Sequence, residues 1–387
     1  MTRMGVKTNN WITSITLIGM LLCACKEKYV PVLKDVNPNY LVIDGFINTG
    51  GDSTIFKISR TFKVDSKAIV SPERNAVVTV ESDGGLTVLL PELPSKPGTY
   101  SVPSLVQDHT KKYRLRVRTN NGKIYLSDFV ESKVAQPVSI SYDVRHGNLN
   151  MYANSTDPGG NSRYYKFAYE ETWEYVAPFN SQYKVVNRAI VPRVYPQDDI
   201  YHCYRYVKSG RIALASTLSL TEDKVADFTL EVIPETSEKI QRQYSIYVEQ
   251  TVLTKAGFEF FETLRKNTEQ VGSIFDSQPS QLFGNIHCTT APDETVIGFV
   301  SAGTVTKKRT VLLAKELPFS IKGVNLYGCT ADILQGQDIR DLITNPSSPE
   351  YLPLYYDEQF NLYATQQPCA DCRLRGGTLT MPPYFIK

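Results

Sequence analysis

The sequence predicts a mainly β protein made of two β-sandwich domains of the immunoglobulin or fibronectin-III kind. The second is enlarged by one inserted amphipathic helix and finished by a disulfide-pinned C-terminal strap. Three observations carry that expectation. The chain holds 24 tyrosines, and its 22 prolines and 23 glycines fall in turn clusters, the composition and punctuation of short strands. Residues 113–130 alternate on both sides of Asn120-Asn121-Gly122, and an Asn-Gly pair between alternating runs is the strongest short-range hairpin signal. Gln241–Gln250 repeats with a clean period of two. At 387 residues the chain has room for two or three domains.

The N-terminus reads as an export signal. Arg3 and Lys7 precede an apolar stretch from Trp11 to Leu22, within the roughly 7–15 residues of a signal core and short of the roughly 20 a spanning helix needs. The run that closes it, Leu22-Cys23-Ala24-Cys25, looks like a lipobox. Cys25 has small Ala24 before it and Leu22 three residues upstream. Residues 1–24 are therefore expected to be cleaved, and Cys25 to be the lipidation site. The acyl chains of a bacterial lipoprotein cysteine, palmitate among them, meet the two-signal threshold for stable anchoring. Residues 25–38 are the tether.

Residues 39–135 read as the N-terminal sandwich. Leu41–Ile47 is its first strand, Thr54–Phe62 its second, with Phe56, Ile58 and Phe62 on one face, and Ala76–Glu81 its third. In the hairpin, Tyr113, Leu115 and Val117 face a core while Arg114, Arg116 and Arg118 face solvent; a stripe for anionic sugar or phosphate is the alternative reading of that arginine row. Ala135-Gln136-Pro137 marks a junction, and residues 136–345 form the larger sandwich. Its strands are Val138–Tyr142, Asn148–Ala153, the aromatic Tyr164–Tyr175, Arg211–Thr217, Phe228–Ile233 and Tyr244–Leu253. Residues 254–267 break the pattern. Leu253, Phe260, Phe261 and Leu264 share a helical face, Glu262 and Lys266 are an i,i+4 pair, and Thr254 can cap the start. This helix is expected to pack on the second sandwich, and a hairpin to span Thr295–Leu313. Residues 346–387 are the strap packed on the second domain. Its Tyr351, Tyr355, Tyr356, Phe360 and Tyr363 are a candidate contact surface for a sugar, peptide or partner, or else an irregular run lying across the domain.

Loss of residues 1–24 removes Arg3 and Lys7 and no acid, so 42 basic residues become 40, against 40 acidic ones. A balanced surface offers no field for nucleic acid. Of the 7 cysteines, Cys23 leaves with the signal and Cys25 is lipidated. The remaining Cys203, Cys288, Cys329, Cys369 and Cys372 are odd in number, so at least one thiol stays unpaired or pairs with another molecule. An exported chain can form disulfides. Cys329 follows the Tyr327-Gly328 turn and precedes Cys369-Ala370-Asp371-Cys372 most closely, so it is expected to pair with Cys369 or Cys372. Cys203 is expected opposite Cys288. A zinc site would want a second ligand pair, and only His287-Cys288 offers one. A redox dithiol would want a strand-to-helix setting, and Pro368 stands there instead. No metal and no cofactor are expected.

Gly51-Asp52-Ser53 resembles the nucleophile block of GDSL-type hydrolases, which need a late Asp and His to activate the serine. The last histidine here is His287, and the run sits at a polar turn where such residues are ordinary. Nucleophile-elbow, Walker, dinucleotide and His-Glu-x-x-His motifs do not occur. No catalysis is expected.

Several further segments stand in a telling order: Leu41-Val-Ile-Asp-Gly45 behind the lipobox, Ser59-Arg60-Thr61, Asn75-Ala76-Val77-Val78, Tyr244–Gln250, Gly272–Asp276 and Gly284-Asn285-Ile286. The chain ends on Cys369-Ala-Asp-Cys372, Arg375-Gly-Gly-Thr378 and Pro383-Tyr-Phe385. Over residues 25–385 this set resembles the Bacteroidota lipoproteins grouped as domain-of-unknown-function family 4249. One departure is Tyr384-Phe385-Ile386, where the family pattern would put Phe-Trp. The resemblance implies an outer-membrane lipoprotein, often encoded beside TonB-dependent receptors, and supplies no activity and no catalytic residues. Lys26-Glu27 resembles part of the Lys-acidic signal of surface lipoproteins, with Lys28 breaking the acidic run. The expectation is thus a lipid-anchored outer-membrane protein at the cell surface, without catalysis, serving as accessory or ligand-capturing partner of a TonB-dependent receptor. An adhesion or structural surface lipoprotein is the alternative, and a cell-surface hydrolase ranks last.

Overall fold

The computed structural model describes residues 39–61, 71–105, 108–269, 282, 284–318, 328–344 and 350–386. Cys25, the signal, the tether, Phe62 and Gly272–Asp276 lie outside the described residues. The chain is mainly β, and its two large cores are each enclosed by sheets.

In the first sandwich Leu41–Asn48 pairs antiparallel with Thr54–Arg60, Ile43 opposite Ile58, and Thr99–Val102 lies beyond. The facing layer is Val77–Ser82, Thr87–Leu90, Lys112–Arg118 and Ile124–Ser127. Alternation decides which side chains point inward: Tyr113, Leu115 and Val117 are buried with Phe56 and Ile58. On the outer side Arg114 reaches Glu81 at 2.7 Å and lies over the Phe129 ring. Gly122, at φ 85°, supplies the left-handed residue of the turn, as an Asn-Gly hairpin requires.

This core is not complete at residue 133. Ile286–Cys288 adds to Ile124–Ser127, Val296–Ile297 runs parallel to Leu41–Val42, and Ala302–Gly303 fits between Ile47–Asn48 and Ser132–Lys133. The domain boundary expected from sequence is corrected accordingly: residues 286–303 belong to the first unit. The reason is apolar burial, since Ile286, Cys288, Val296, Val300 and Ala302 all enter the first core. The hairpin expected over Thr295–Leu313 is absent too, because Val305–Leu313 pairs with Gln243–Val252 in the other unit. Close backbone approach makes the return possible. A Cβ on Gly298 (φ 145°) would overlap the Ile43 carbonyl oxygen, and one on Gly284 would overlap that of Gly298. Asn285 closes the loop, donating to Val300 O at 3.0 Å and accepting from Val300 N at 2.8 Å.

In the second sandwich a three-stranded sheet (Ser139–Arg145, Asn148–Thr156, Lys224–Pro234) faces a five-stranded one (His202–Lys208, Ala213–Ser216, Tyr164–Val176, Gln243–Val252, Val305–Leu313). Tyr164–Val176 is the spine. Tyr165, Phe167, Tyr169 and Tyr175 turn inward to meet Leu149, Met151 and Ile246. Buried phenols need partners, and here Tyr165 donates to Asp223 at 2.7 Å, Tyr169 to Leu230 O at 2.9 Å and Tyr244 to Glu171 at 2.8 Å.

The units are joined where two chain segments pass side by side. Ala135 N donates to Thr304 Oγ1 at 2.7 Å, and Gln136 O accepts from Gln250 Nε2 and Thr306 Oγ1, both at 3.0 Å. The helix observed over Lys255–Glu269 starts where Thr254 Oγ1 accepts from Gly257 N at 3.2 Å. It touches the second sheet through Phe258, whose ring lies 5.1 Å from that of Tyr164, and the returning segment through Phe260, 5.5 Å from Phe299.

The C-terminal region is only partly a strap. Asp332–Ile333, Leu362–Gln366 and Tyr351–Tyr356 form a three-stranded antiparallel sheet, which surrounds a small core of Leu334, Leu342, Leu362 and Ala364 with the helix Gln337–Thr344. The hairpin Tyr183–Val186/Ala189–Pro192 lays Val185 and Ile190 against it. The expected start at 346 therefore moves back into the segment from residue 328, because Leu334 and Leu342 need this core. Residues 371–386 do cross the second sandwich. Thr378 bridges Tyr204, Tyr384 Oη lies 2.9 Å from Thr172 Oγ1, and Phe385 is buried.

Candidate functional site

The five described cysteines resolve into two bonds and one thiol. Cys329 pairs with Cys369, one of its two expected partners. Cys203 bonds Cys372, which corrects the expected Cys203–Cys288 link. Cys203 lies in the second core and Cys288 in the first, so they cannot meet; Cys288 is a buried free thiol. The two cysteines of the Cys-x-x-Cys segment thus grip different units, one the small C-terminal sheet and one the second sandwich.

The aromatic surface expected over the tail is largely occupied by its own members. Tyr355 and Tyr363 stack at 4.9 Å, Tyr356 meets Tyr183 edge-on at 5.1 Å, and Tyr351 packs on the small core. Phe360 differs: it sits at the hairpin tip, 85% exposed, at φ 61°. Asp357 holds that tip, its Oδ1 accepting from Gln359 N at 3.0 Å and Asn361 N at 2.8 Å. The Asn361 side-chain bond, first among several, pulls the Asp357 carboxyl below its ordinary range.

Asp52, beside Ser53, pairs with Lys307 at 2.9 Å. Two Asp-x-x-His blocks exist, Asp143-Val144-Arg145-His146 and Asp199-Ile200-Tyr201-His202, both well upstream of the late position a GDSL-type hydrolase needs. Asp199 Oδ2 lies 2.8 Å from His202 Nδ1, an orienter–base pair, and both are on the second unit while Ser53 is on the first. Among the described residues no group of three or more His, Cys, Asp or Glu could hold a metal ion.

A cavity lies between the two sandwiches, a cleft of about 290 Å³. Asp44, Gly45, Phe46 and Ile55 line it from the first unit, and Lys166, Ala168, Lys208, Glu249 and Thr251 from the outer face of the five-stranded sheet. Phe261 reaches in from the helix, and Ser301 and Val305 from the crossing segment. Lys166 alternates with inward Tyr165 and Phe167, so its side chain leaves the sheet on the outer face; a sequence reading takes such a lysine as solvated. The helix covers it instead, with Lys166 Nζ 3.9 Å from the centre of the Phe261 ring. Burial pushes the Lys166 pKa below its ordinary 10.5, and Asp44 draws it back. The signal that could have found it is the helix itself: the apolar face of Phe260 and Phe261 needs a surface, and the outer side of the aromatic strand is adjacent.

Two β sandwiches joined at a lined cleft, with two disulfides in the second sandwich and the small C-terminal unit, define a multi-domain mainly β protein. The chain belongs to the family described as a domain of unknown function (DUF4249), whose profile matches residues 26–309. No curated protein matches the chain. Among solved structures, a two-domain fibronectin type-III segment of chicken tenascin resembles it at 11% identity, covering 56% of this chain and 91% of that one, with a TM-score of 0.16. So low a score carries no argument, and the fold stands on the strand pairing above.

Several of the segments that carried the family resemblance have structural roles among the described residues. Arg60 donates to Glu73 at 2.7 Å and to Asn39 O at 3.1 Å, Gly284 and Asn285 seat the returning segment, and Gln250 ties the junction. In the tail, Asp371 accepts from Arg373 through Nη2 at 2.6 Å, Nε at 2.9 Å and the backbone N–H at 3.0 Å. A Cβ on Gly377 would overlap Tyr175 and Cys203.

Proposed function

We propose that the protein is a lipid-anchored outer-membrane module that captures a ligand or docks beside a TonB-dependent receptor, without catalysis of its own. The observation that carries this reading is Leu22-Cys23-Ala24-Cys25 behind a short apolar run, with residues 25–38 as tether. Among the described residues no helix is long and apolar enough to cross a membrane; in this reading the acyl chains on Cys25 are the attachment. The cleft and the protruding Phe360 supply contact area, in keeping with binding functions carried on loops and junctions of rigid scaffolds.

Globomycin should accumulate the precursor, and Cys25→Ser should abolish palmitate labelling; normal labelling of that variant refutes the anchor. Affinity purification of the tagged protein from membranes should recover a TonB-dependent receptor, and Phe360→Ser should weaken the recovery if the tip is the contact. Truncating the tail would remove Cys369 and Cys372 as well, so the point substitution is the cleaner test. Cleavage by protease added to intact cells checks the surface orientation.

A further inference from the structure

We infer that the cleft between the sandwiches binds a small organic monoanion with an apolar body, its carboxylate held by the Lys166 ammonium. The inference deepens the capture reading and rests on it. Lys166 lies against Phe261, and among the described residues no carboxylate comes within ion-pair distance of it. An ammonium half-covered by protein, with only exposed Asp44 across the cleft to offset it and no ion-pair contact, is costly, and a ligand carboxylate would complete the pair. A second observation falls on the crossing segment that lines the same cleft: Ser301 is 4% exposed and its hydroxyl has no hydrogen-bond partner. A ligand oxygen there would accept its proton.

The other charges set the class of anion. Asp44 is exposed on the facing sandwich, Glu249 lies on the same sheet as Lys166, 3.8 Å from Lys307, and Lys208, the other ammonium of the lining, is already paired with Glu170 at 3.7 Å. A phosphate dianion would meet both carboxylates with twice the repulsion of a monocarboxylate. A neutral sugar would gain nothing from the ammonium and would lie against Phe46, Leu253 and Phe261. The volume, about 290 Å³, is near the lower end of ligand pockets, roughly 300–1,000 Å³, so a single ring or short chain fits.

The test uses the mature chain from residue 26, purified without lipid, in calorimetric titrations and thermal melts with 3-phenylpropanoate, inorganic phosphate and maltose as probes. 3-Phenylpropanoate should bind and raise Tm; phosphate and maltose should do neither. Lys166→Met should melt at or above the wild type without ligand, because an unpaired charge is gone, and should weaken 3-phenylpropanoate roughly tenfold to hundredfold. Unchanged binding by Lys166→Met, or phosphate binding as well as the carboxylate, overturns the inference. Should Lys166→Met fail to fold, Asp44→Asn serves: it should tighten 3-phenylpropanoate about twofold, and no change refutes the charge argument. The assay needs neither membrane nor receptor, so its failure is distinct from failure of the anchoring reading.

Discussion

Removing the Cys203–Cys372 bond should destabilise the second sandwich more than any other single covalent change. The cysteines are 169 residues apart with Cα atoms at 5.8 Å, and both are fully buried. With Cys329–Cys369 intact the chain has a short cut, so the loop that Cys203–Cys372 closes is roughly 130 residues, worth about 5 kcal/mol in the chain-entropy model. Measured losses run to about 2–5 kcal/mol, and the lower part of that range applies if the unfolded chain stays compact. Cys203→Ala with Cys372→Ala is the perturbation, since alanine leaves no buried hydroxyl. Two other contacts at Cys372 persist, Tyr175 Oη to its carbonyl at 2.8 Å and its N–H to Ile200 O at 3.0 Å. Of the 2 tryptophans, Trp11 lies in the expected signal, so the mature chain carries Trp173 alone, inside the second core. Its fluorescence during guanidinium unfolding reports that unit. A loss of about 3–5 kcal/mol in the Trp173 transition is expected. The Cys329→Ala/Cys369→Ala pair, which opens a loop of 40 residues in the small C-terminal unit, should leave that transition nearly in place. A loss below about 1 kcal/mol for the first pair, or equal losses for both, would refute the reasoning.

Gly298→Ala should cost about 2–3 kcal/mol and loosen residues 286–303, seen as faster hydrogen exchange there than in Tyr164–Val176. Thr304→Val should cost about 1–3 kcal/mol by leaving Ala135 N–H unpaired at the junction, checked by urea unfolding. Acid should loosen the same returning segment through Glu294. Burial pushes its carboxyl up, but bonds from Lys123 and Tyr125 overcome this and hold it below the ordinary 4.5. A depressed folded pKa gives stability that is present above the unfolded value and lost as pH falls through the folded one. Melting temperature should therefore drop below about pH 4.5, and Glu294→Gln should flatten that drop.

Local chemistry decided what the sequence disclosed. The hairpin around Asn121-Gly122 was readable because turn and alternation are both short-range. The helix was readable because Thr254, Phe260 and Phe261 mark its cap and face. The returning strands Val296–Ile297 and Ala302–Gly303 are two residues each, too short to show any period, and they pair in parallel with strands far upstream. The C-terminal sheet was hidden because Pro353 interrupts its edge strand and the register shifts between Pro353 and Tyr355. Cys329–Cys369 could be expected from proximity along the chain; Cys203–Cys372 spans most of the second unit and leaves no local mark. Lys166 was invisible as a site because its strand assigns it outward, and only tertiary packing by Phe261 covers it.

The return of residues 286–303 to the first core means that the two sandwiches are not beads on a string. The chain begins one, departs to build most of the other, comes back to finish the first, and then lays Val305–Leu313 as the last strand of the second. During synthesis or passage through a narrow channel, N-terminus first, Ile124–Ser127 and Leu41–Asn48 stand with open edges until residue 303 has emerged. Unpaired edges are templates for wrong partners, and closure over such long separations is slow. The pair therefore matures as one interlaced object. A gene fragment ending at residue 135 encodes an unfinished sheet, and recombination that swaps either sandwich alone would leave its neighbour without a strand.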